Sequence, residues 1–188
     1  MCIHWRGGNI GCAYYSHPVH ELCLMEDLKD QSPFTRASQS QISPRTMIIA
    51  FDMEEELIEI LHAYDSHVKI HRVPKKGFAY ARGKDILLEW RIDEMNKSRL
   101  SEETREDERL DRPSDEHQLP ARLDDQRQQA YLQLACLIDL NSSTAIGCAG
   151  VLFTYLQELD DTGNVSSPNG ITSIIGNLRL RMVSRYKE

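Results

Sequence analysis

The sequence predicts an α/β fold: a mixed sheet laid down first, then a pair of helices. Three observations predict it. The opening residues alternate short apolar runs with turn residues, two further strand-like runs are each followed by a helical pattern, and the last third carries two stretches with apolar residues at helical spacing.

The elements follow in order. Cys2 to Arg6 is a strand, Gly7-Gly8-Asn9 a tight turn that permits positive φ, and Ile10 to Tyr15 and Val19 to Met25 complete an antiparallel meander. Glu26 to Ser43 is polar, with a helix candidate from Pro33 to Gln41. Thr46 to Phe51 is apolar without alternation, as expected of a strand buried on both faces. Asp52 then stands as an N-cap. Glu54, Glu55 and Glu56 load the first turn, where the helix dipole favours anions, and Leu57, Ile58, Ile60 and Leu61 give a buried stripe as far as Tyr64. A strand from His67 to Arg72, a Val-Pro-Lys-Lys-Gly turn and a helix from Phe78 to Trp90 come next.

Asn96 to Leu119 has almost no apolar residues and mixes both charges around Pro113 and Ser114. Such a stretch buries too little to offset its ordering entropy, so a flexible linker is expected, with a solvated helix as the alternative. Arg122 to Leu140 and Thr144 to Leu159 form an αα-hairpin, with Asn141-Ser142-Ser143 supplying the turn and the cap, the second helix apolar nearly all round. Ile171 to Arg185 alternates weakly and favours a strand. The expected organisation is therefore 1–92 as an α/β domain, 93–120 as a charged flexible linker and 121–188 as a partial helical region.

Composition narrows the function. The longest apolar stretch, Thr144 to Leu156, is short of the roughly 18 residues a membrane helix needs and contains Thr154 and Tyr155. The amino terminus has no basic, apolar and small-residue succession of a secretory signal, so a cytosolic or nuclear location is expected. The five cysteines, Cys2, Cys12, Cys23, Cys136 and Cys148, lie in apolar runs, where reduced thiols behave as small hydrophobes. Net charge is −7. From Asp93 to Asp125, twelve acids stand against six bases, so nearly all the acidity is confined to the linker.

Catalytic motifs are scarce. The set Cys2, His4, Cys12, His17, His20 and Cys23 invites a metal, but it holds no Cys-x2-Cys knuckle and Pro18 interrupts His17 and His20. A core role for the cysteines is the simpler reading, and no metal site is expected. No phosphate-cradling glycine motif occurs, and neither Ser166 nor His117 can be assigned as nucleophile or base. A three-strand meander ahead of an α/β pattern resembles the ribonuclease H superfamily, whose metal-dependent cleavage needs carboxylates on adjacent strands. Here the first strand offers Cys2, His4 and Arg6, the next two give Glu21 and Glu26, and Asp52 is expected to cap a helix. No catalytic residue is assigned. The most suggestive charged feature is six bases with no acid from Ser66 to Lys84: Lys69, Arg72, Lys75, Lys76, Arg82 and Lys84, with Phe78 and Tyr80 interleaved. A basic turn entering a helix can hold phosphate or an acidic partner; a solvated edge is the alternative.

Specific strings then add to the pattern. CIHWRGGNIGCAYY resembles the first hairpin of the MutS-family connector domain, with Gly11, Ala13, Tyr14 and Tyr15 matching most closely its meiotic homologue 5 subgroup. SPRTMIIAF and HVKIHRVPKKGFAYARGKDIL are similar to the next strands and helices of that subgroup. QQAYLQLACLIDLNSSTAIGCAGVLFTYLQ resembles the helical pair that leads into the MutS core, with Tyr155 and Leu156 matching. The resemblance implies a ribonuclease H-like connector followed by part of the core, in a nuclear protein. The intact protein would pair with MutS homologue 4, enclose branched DNA in meiotic recombination, contact MutL-type proteins and use ATP and magnesium in a Walker-type domain expected beyond Glu188. A mismatch-wedge domain is not expected before residue 2. The alternatives are a metal-dependent nuclease and the connector of a mismatch-repair MutS protein.

Overall fold

The computed structural model describes residues 1–29, 44–53, 58–59, 67–106, 119–162 and 174–183. Strands β1 (Cys2–Arg6), β2 (Asn9–Ser16) and β3 (Glu21–Lys29) form the antiparallel meander. Its first turn depends on Gly7 (φ 57°) and Gly8 (φ 79°), which occupy the left-handed region that a Cβ disfavours. The third strand starts two residues later than expected. Pro18 has no N–H to donate and His20 itself takes a positive φ of 51°, its Nδ1 in hydrogen-bond contact with the Tyr15 hydroxyl at 2.9 Å.

Strand β4 (Thr46–Ala50) runs parallel to β1, and β5 (Lys69–Val73) parallel to β4. β6 (Arg179–Val183) adds to the opposite edge, parallel to β3 in the register Glu21↔Arg179 to Met25↔Val183. The six-stranded order is β5-β4-β1-β2-β3-β6. The fold is thus α/β with a mixed sheet, an antiparallel meander extended by parallel strands at both edges.

Alternation along the strands gives the sheet two apolar faces. Ile3, Ile10, Cys12, Met47 and Ile49 join Ile58 and Val68 on one side. Cys2, Ala13, Leu22, Leu24, Ile48 and Ala50 face the other side, where the helices α1 (Tyr80–Glu106), α2 (Leu119–Leu137) and α3 (Ser143–Asp161) pack. α3 lies directly on β1, β2 and β3, α1 packs on α3, and α2 lies along α1. The uniform apolarity of α3 follows from this place: sheet on one side, α1 on the other.

Small residues set these distances. A Cβ at Gly11 would meet the backbone of Thr144 and Ala145, one at Gly147 the carbonyl of Phe78, and one at Gly150 the Cα of Gly83. Gly147 and Gly150 therefore serve close helix packing, as their cost in a helix interior required of them.

Two expectations need correction. The expected boundary at 92/93 falls inside α1, a continuous helix of 27 residues. Residues 93–106 read as linker by composition, yet Ile92 and Met95 extend the apolar stripe onto the core, and Lys97 pairs with Glu94 one turn away at 3.3 Å. The remainder of the expected linker, residues 107–118, lies outside the described residues. The region 121–188 is also not a separate helical unit. It supplies β6 to the sheet, and its Ala130, Leu134, Ile146, Phe153 and Leu180 share one core with Cys2, Leu22 and Trp90. α2 and α3 follow one another through a tight turn, but one packs on α1 and the other on the sheet.

The second correction concerns capping. Ser142 makes no side-chain cap for α3; the Asp27 carboxylate on β3 does, accepting from the Thr144 and Ala145 amides at 2.7 Å each. The Asp52 carboxylate accepts from Lys75 Nζ at 2.6 Å, and the amides it was expected to cap lie outside the described residues. Of the helix expected after it, Ile58 and Glu59 are helical and most of the rest lies outside the described residues, as does the Pro33–Gln41 candidate. Four cysteines are buried as expected, whereas Cys136 is exposed on α2; all five are free thiols.

Candidate partner and nucleic-acid interface

The six bases lie on β5, on the 3-10 turn Lys75–Phe78 and on the first turns of α1. β5 is an edge strand of the sheet among the described residues, which explains how Lys69 and Arg72 can be solvated there. Pro74 (φ −56°, ψ 138°) ends the strand, and the turn carries the chain over to α1. Phe78 anchors that turn. Its ring is buried and stacks on His4 with centroids 4.5 Å apart and planes 27° from parallel.

Adjacency in sequence does not become adjacency in space for all six. Lys69 and Arg72 are three positions apart on a strand, so their side chains leave opposite faces of the sheet. Lys75 is spent on Asp52, an exposed pair of small energetic weight. That contact holds the Asp52 carboxyl below its usual range, chiefly through the Lys75 hydrogen bond. Lys76 is exposed. Lys84 is half-buried, its ammonium 5.7 Å from the Tyr80 ring centroid and 5.8 Å from that of Tyr131 on α2. Such a site favours the cation but keeps its ammonium against aromatic faces.

Arg82 lines a groove between β5 and α3 of about 80 Å³, together with His71, Val73, Tyr155 and Glu158. His71 and Tyr155 meet across it at 5.3 Å between ring centroids. This groove was invisible in the sequence, because its two walls lie some eighty positions apart. Tyr155 was singled out by its string, but nothing in that string places it beside His71.

The end of β1 carries a second polar locus. His4 is 3% exposed. Burial is the largest influence on its pKa and lowers it; Asp52 opposes the shift, while Lys75 and Arg6 add to it. The imidazole is therefore held neutral. No group of three His, Cys, Asp or Glu side chains able to hold a metal occurs among the described residues.

Residues 1–164 match one protein family, described as the MutS5 N-terminal domain. The chain belongs to the MutS family. The matched span takes in residues on both sides of 93–120, which share one core. A search of curated proteins finds no match to the MutS-family chain. Within the family domain, Gly11 has an assignable physical role: it is the point at which β2 admits the first turn of α3, and the Cys148 thiol contacts its carbonyl oxygen at 3.4 Å.

Proposed function

We propose that this MutS-family chain is a non-catalytic connector-type module of a DNA clamp that acts in meiotic recombination. One observation carries the reading: the match to the MutS5 N-terminal domain, residues 1–164, covers the first five strands of the sheet and the helices packed on it. The first strand of that sheet presents His4, neutral and stacked on Phe78, where metal-dependent cleavage would call for a carboxylate. In this reading the module relays state between domains and contacts partners. The intact protein pairs with MutS homologue 4 in the nucleus, encloses branched DNA and meets MutL-type proteins. ATP and magnesium act in a part of the protein outside this chain, which has no ATPase of its own.

The exposed cations define where nucleic acid or an acidic partner would touch. Lys76 and Arg82 contribute most directly, with Lys69 at the neighbouring edge, while Lys75 and Lys84 are engaged within the protein. Fluorescence anisotropy with a labelled four-way junction and a labelled duplex, across a salt series, tests this. Binding is expected to weaken with salt, and Lys76→Glu with Arg82→Glu lowers the log–log salt slope by about 2, since each lost phosphate contact removes roughly 0.9. Binding that is absent at low salt, or a slope that the double variant leaves unchanged, sinks the assignment of this surface.

A further inference from the structure

Beyond its charge, the basic surface has a shape of its own in the groove between β5 and α3. Strand alternation puts Lys69, His71 and Val73 on the face of β5 turned to the helices, because Val73 packs against the core on that side and Ile70 against the core on the other. Val73 and, on α3, Val151 supply apolar walls to the groove. Gly77 lies between them: a Cβ built there would stand 3.2 Å from a Val73 methyl and 3.5 Å from a Val151 methyl. The glycine therefore keeps the space between two apolar side chains open. Thr154, also in the lining, makes little polar demand on an occupant, since its hydroxyl already donates to the Gly150 carbonyl at 3.0 Å.

Size decides what can enter. The groove measures about 80 Å³. A cavity that takes a benzene ring measures roughly 150 Å³, and pockets for whole small molecules run from about 300 Å³ upward. A nucleobase or a metabolite is too large for this space, whereas one branched aliphatic side chain fits it. Single side chains seated in such pockets are the anchors that carry much of the energy of protein–protein contacts.

Charge decides which chain carries that side chain. Arg82 is exposed in the lining, Lys76 is exposed next to Gly77, and Lys69 is exposed two positions along β5 from His71, about 7 Å away on the same face. Glu158 is the one acid among the described lining residues. Three cations against one carboxylate complement an acidic partner. We propose that this groove is the anchor pocket of a peptide-docking site: it takes one valine, leucine or isoleucine side chain from an acidic segment of a partner protein, and the neighbouring carboxylates of that segment meet Arg82, Lys76 and Lys69. The inference rests on the reading of the basic surface as a contact surface, and for this part of it selects the acidic partner over nucleic acid.

The test is fluorescence anisotropy of the full chain with three labelled peptides: alternating aspartate and glutamate around one central leucine, the same peptide with serine for the leucine, and the leucine peptide with asparagine and glutamine for the acids. The acidic leucine peptide binds saturably and more weakly as salt rises. Serine lowers its affinity about tenfold, the effect of burying one aliphatic side chain, and the uncharged peptide loses the salt dependence. Gly77→Ala, which places a methyl between Val73 and Val151, removes most of the preference for leucine over serine; Thr154→Phe fills the groove from the helix side and does the same should the glycine variant fail to fold. Arg82→Glu weakens both acidic peptides alike. Equal affinity for leucine and serine peptides, or a leucine preference that survives in the folded groove variants, overturns the proposal. Absence of peptide binding while a labelled four-way junction still binds overturns this inference alone, and absence of both removes the contact surface on which it rests.

Discussion

Replacing Asp27 with alanine removes the contact that most directly ties the amino-terminal meander to the last helix. The carboxylate sits near the end of β3 and accepts the Thr144 amide on one oxygen and the Ala145 amide on the other, both at 2.7 Å. Two of the four orphan donors at the start of α3 are thereby satisfied from 117 and 118 positions away. Hydrogen bonds to a charged group are worth about 1.5–3 kcal/mol each, whereas loss of a helix cap measured by substitution costs about 0.5–2 kcal/mol. Asp27 is only half-buried, so water recovers part of the loss. The expected cost of Asp27→Ala is therefore about 2–3 kcal/mol, and Asp27→Asn, which keeps one acceptor and loses the charge, about half of that. For a chain of this size each kcal/mol moves the midpoint by about 2–4 °C, so thermal unfolding followed by circular dichroism drops by roughly 5–10 °C for the alanine variant. Ser142→Ala, at the position the sequence offers as the cap, costs less, under about 1 kcal/mol. A smaller loss for Asp27→Ala than for Ser142→Ala would refute the reasoning, because α3 would then be held by its own flank.

The glycine crossing and the buried histidine give further expectations. Gly150→Ala forces a Cβ to 2.5 Å from the Gly83 Cα, backbone against backbone, and costs roughly 3 kcal/mol or more by urea unfolding. Gly77→Ala meets only the Val73 and Val151 methyls, at 3.2 and 3.5 Å, and stays within about 1 kcal/mol of the parent; equal effects of the two variants would contradict the packing described. His4 has a folded pKa below its ordinary 6.5, so below that pH the unfolded chain takes up a proton that the folded chain refuses. Its contribution to stability is accordingly lost as pH falls from 6.5 toward the folded pKa, with a slope of at most about 1.4 kcal/mol per pH unit. The stability difference between the parent and His4→Phe, measured from pH 7.5 to 5, should narrow or reverse in favour of the variant; a difference flat with pH removes the buried-imidazole account.

Much of the sheet and two of the helices were legible because their signals are local. The Gly7-Gly8 turn, the unalternating run at β4 and the uniformly apolar α3 each announce themselves within a few residues. The pairing of β6 with β3 carries no such mark, since spacing along the chain does not say which edge a strand will join. Residues 93–106 misled for a different reason: an exposed charged helix and a charged linker have the same composition, and only Ile92 and Met95 betray the buried side. The basic stretch was legible as charge but not as surface. Strand alternation sends Lys69 and Arg72 to opposite faces, Asp52 neutralises Lys75 from 23 positions earlier, and Tyr131 engages Lys84 across the expected linker. His4 was visible only as one of a set of metal-ligating residue types and as a non-carboxylate in a strand. Its burial against Phe78 needed the fold.

The central claim is that the residues on either side of the charged segment form one α/β unit, and native-state hydrogen exchange tests it most directly. Amides of β2 and of α3, followed at low concentrations of denaturant, are predicted to open with the same free energy and the same denaturant dependence, because one core and the Asp27 carboxylate join them. An α3 that opens at a lower free energy while β2 stays protected would contradict the account, and would restore the division into an α/β domain and a separate helical region.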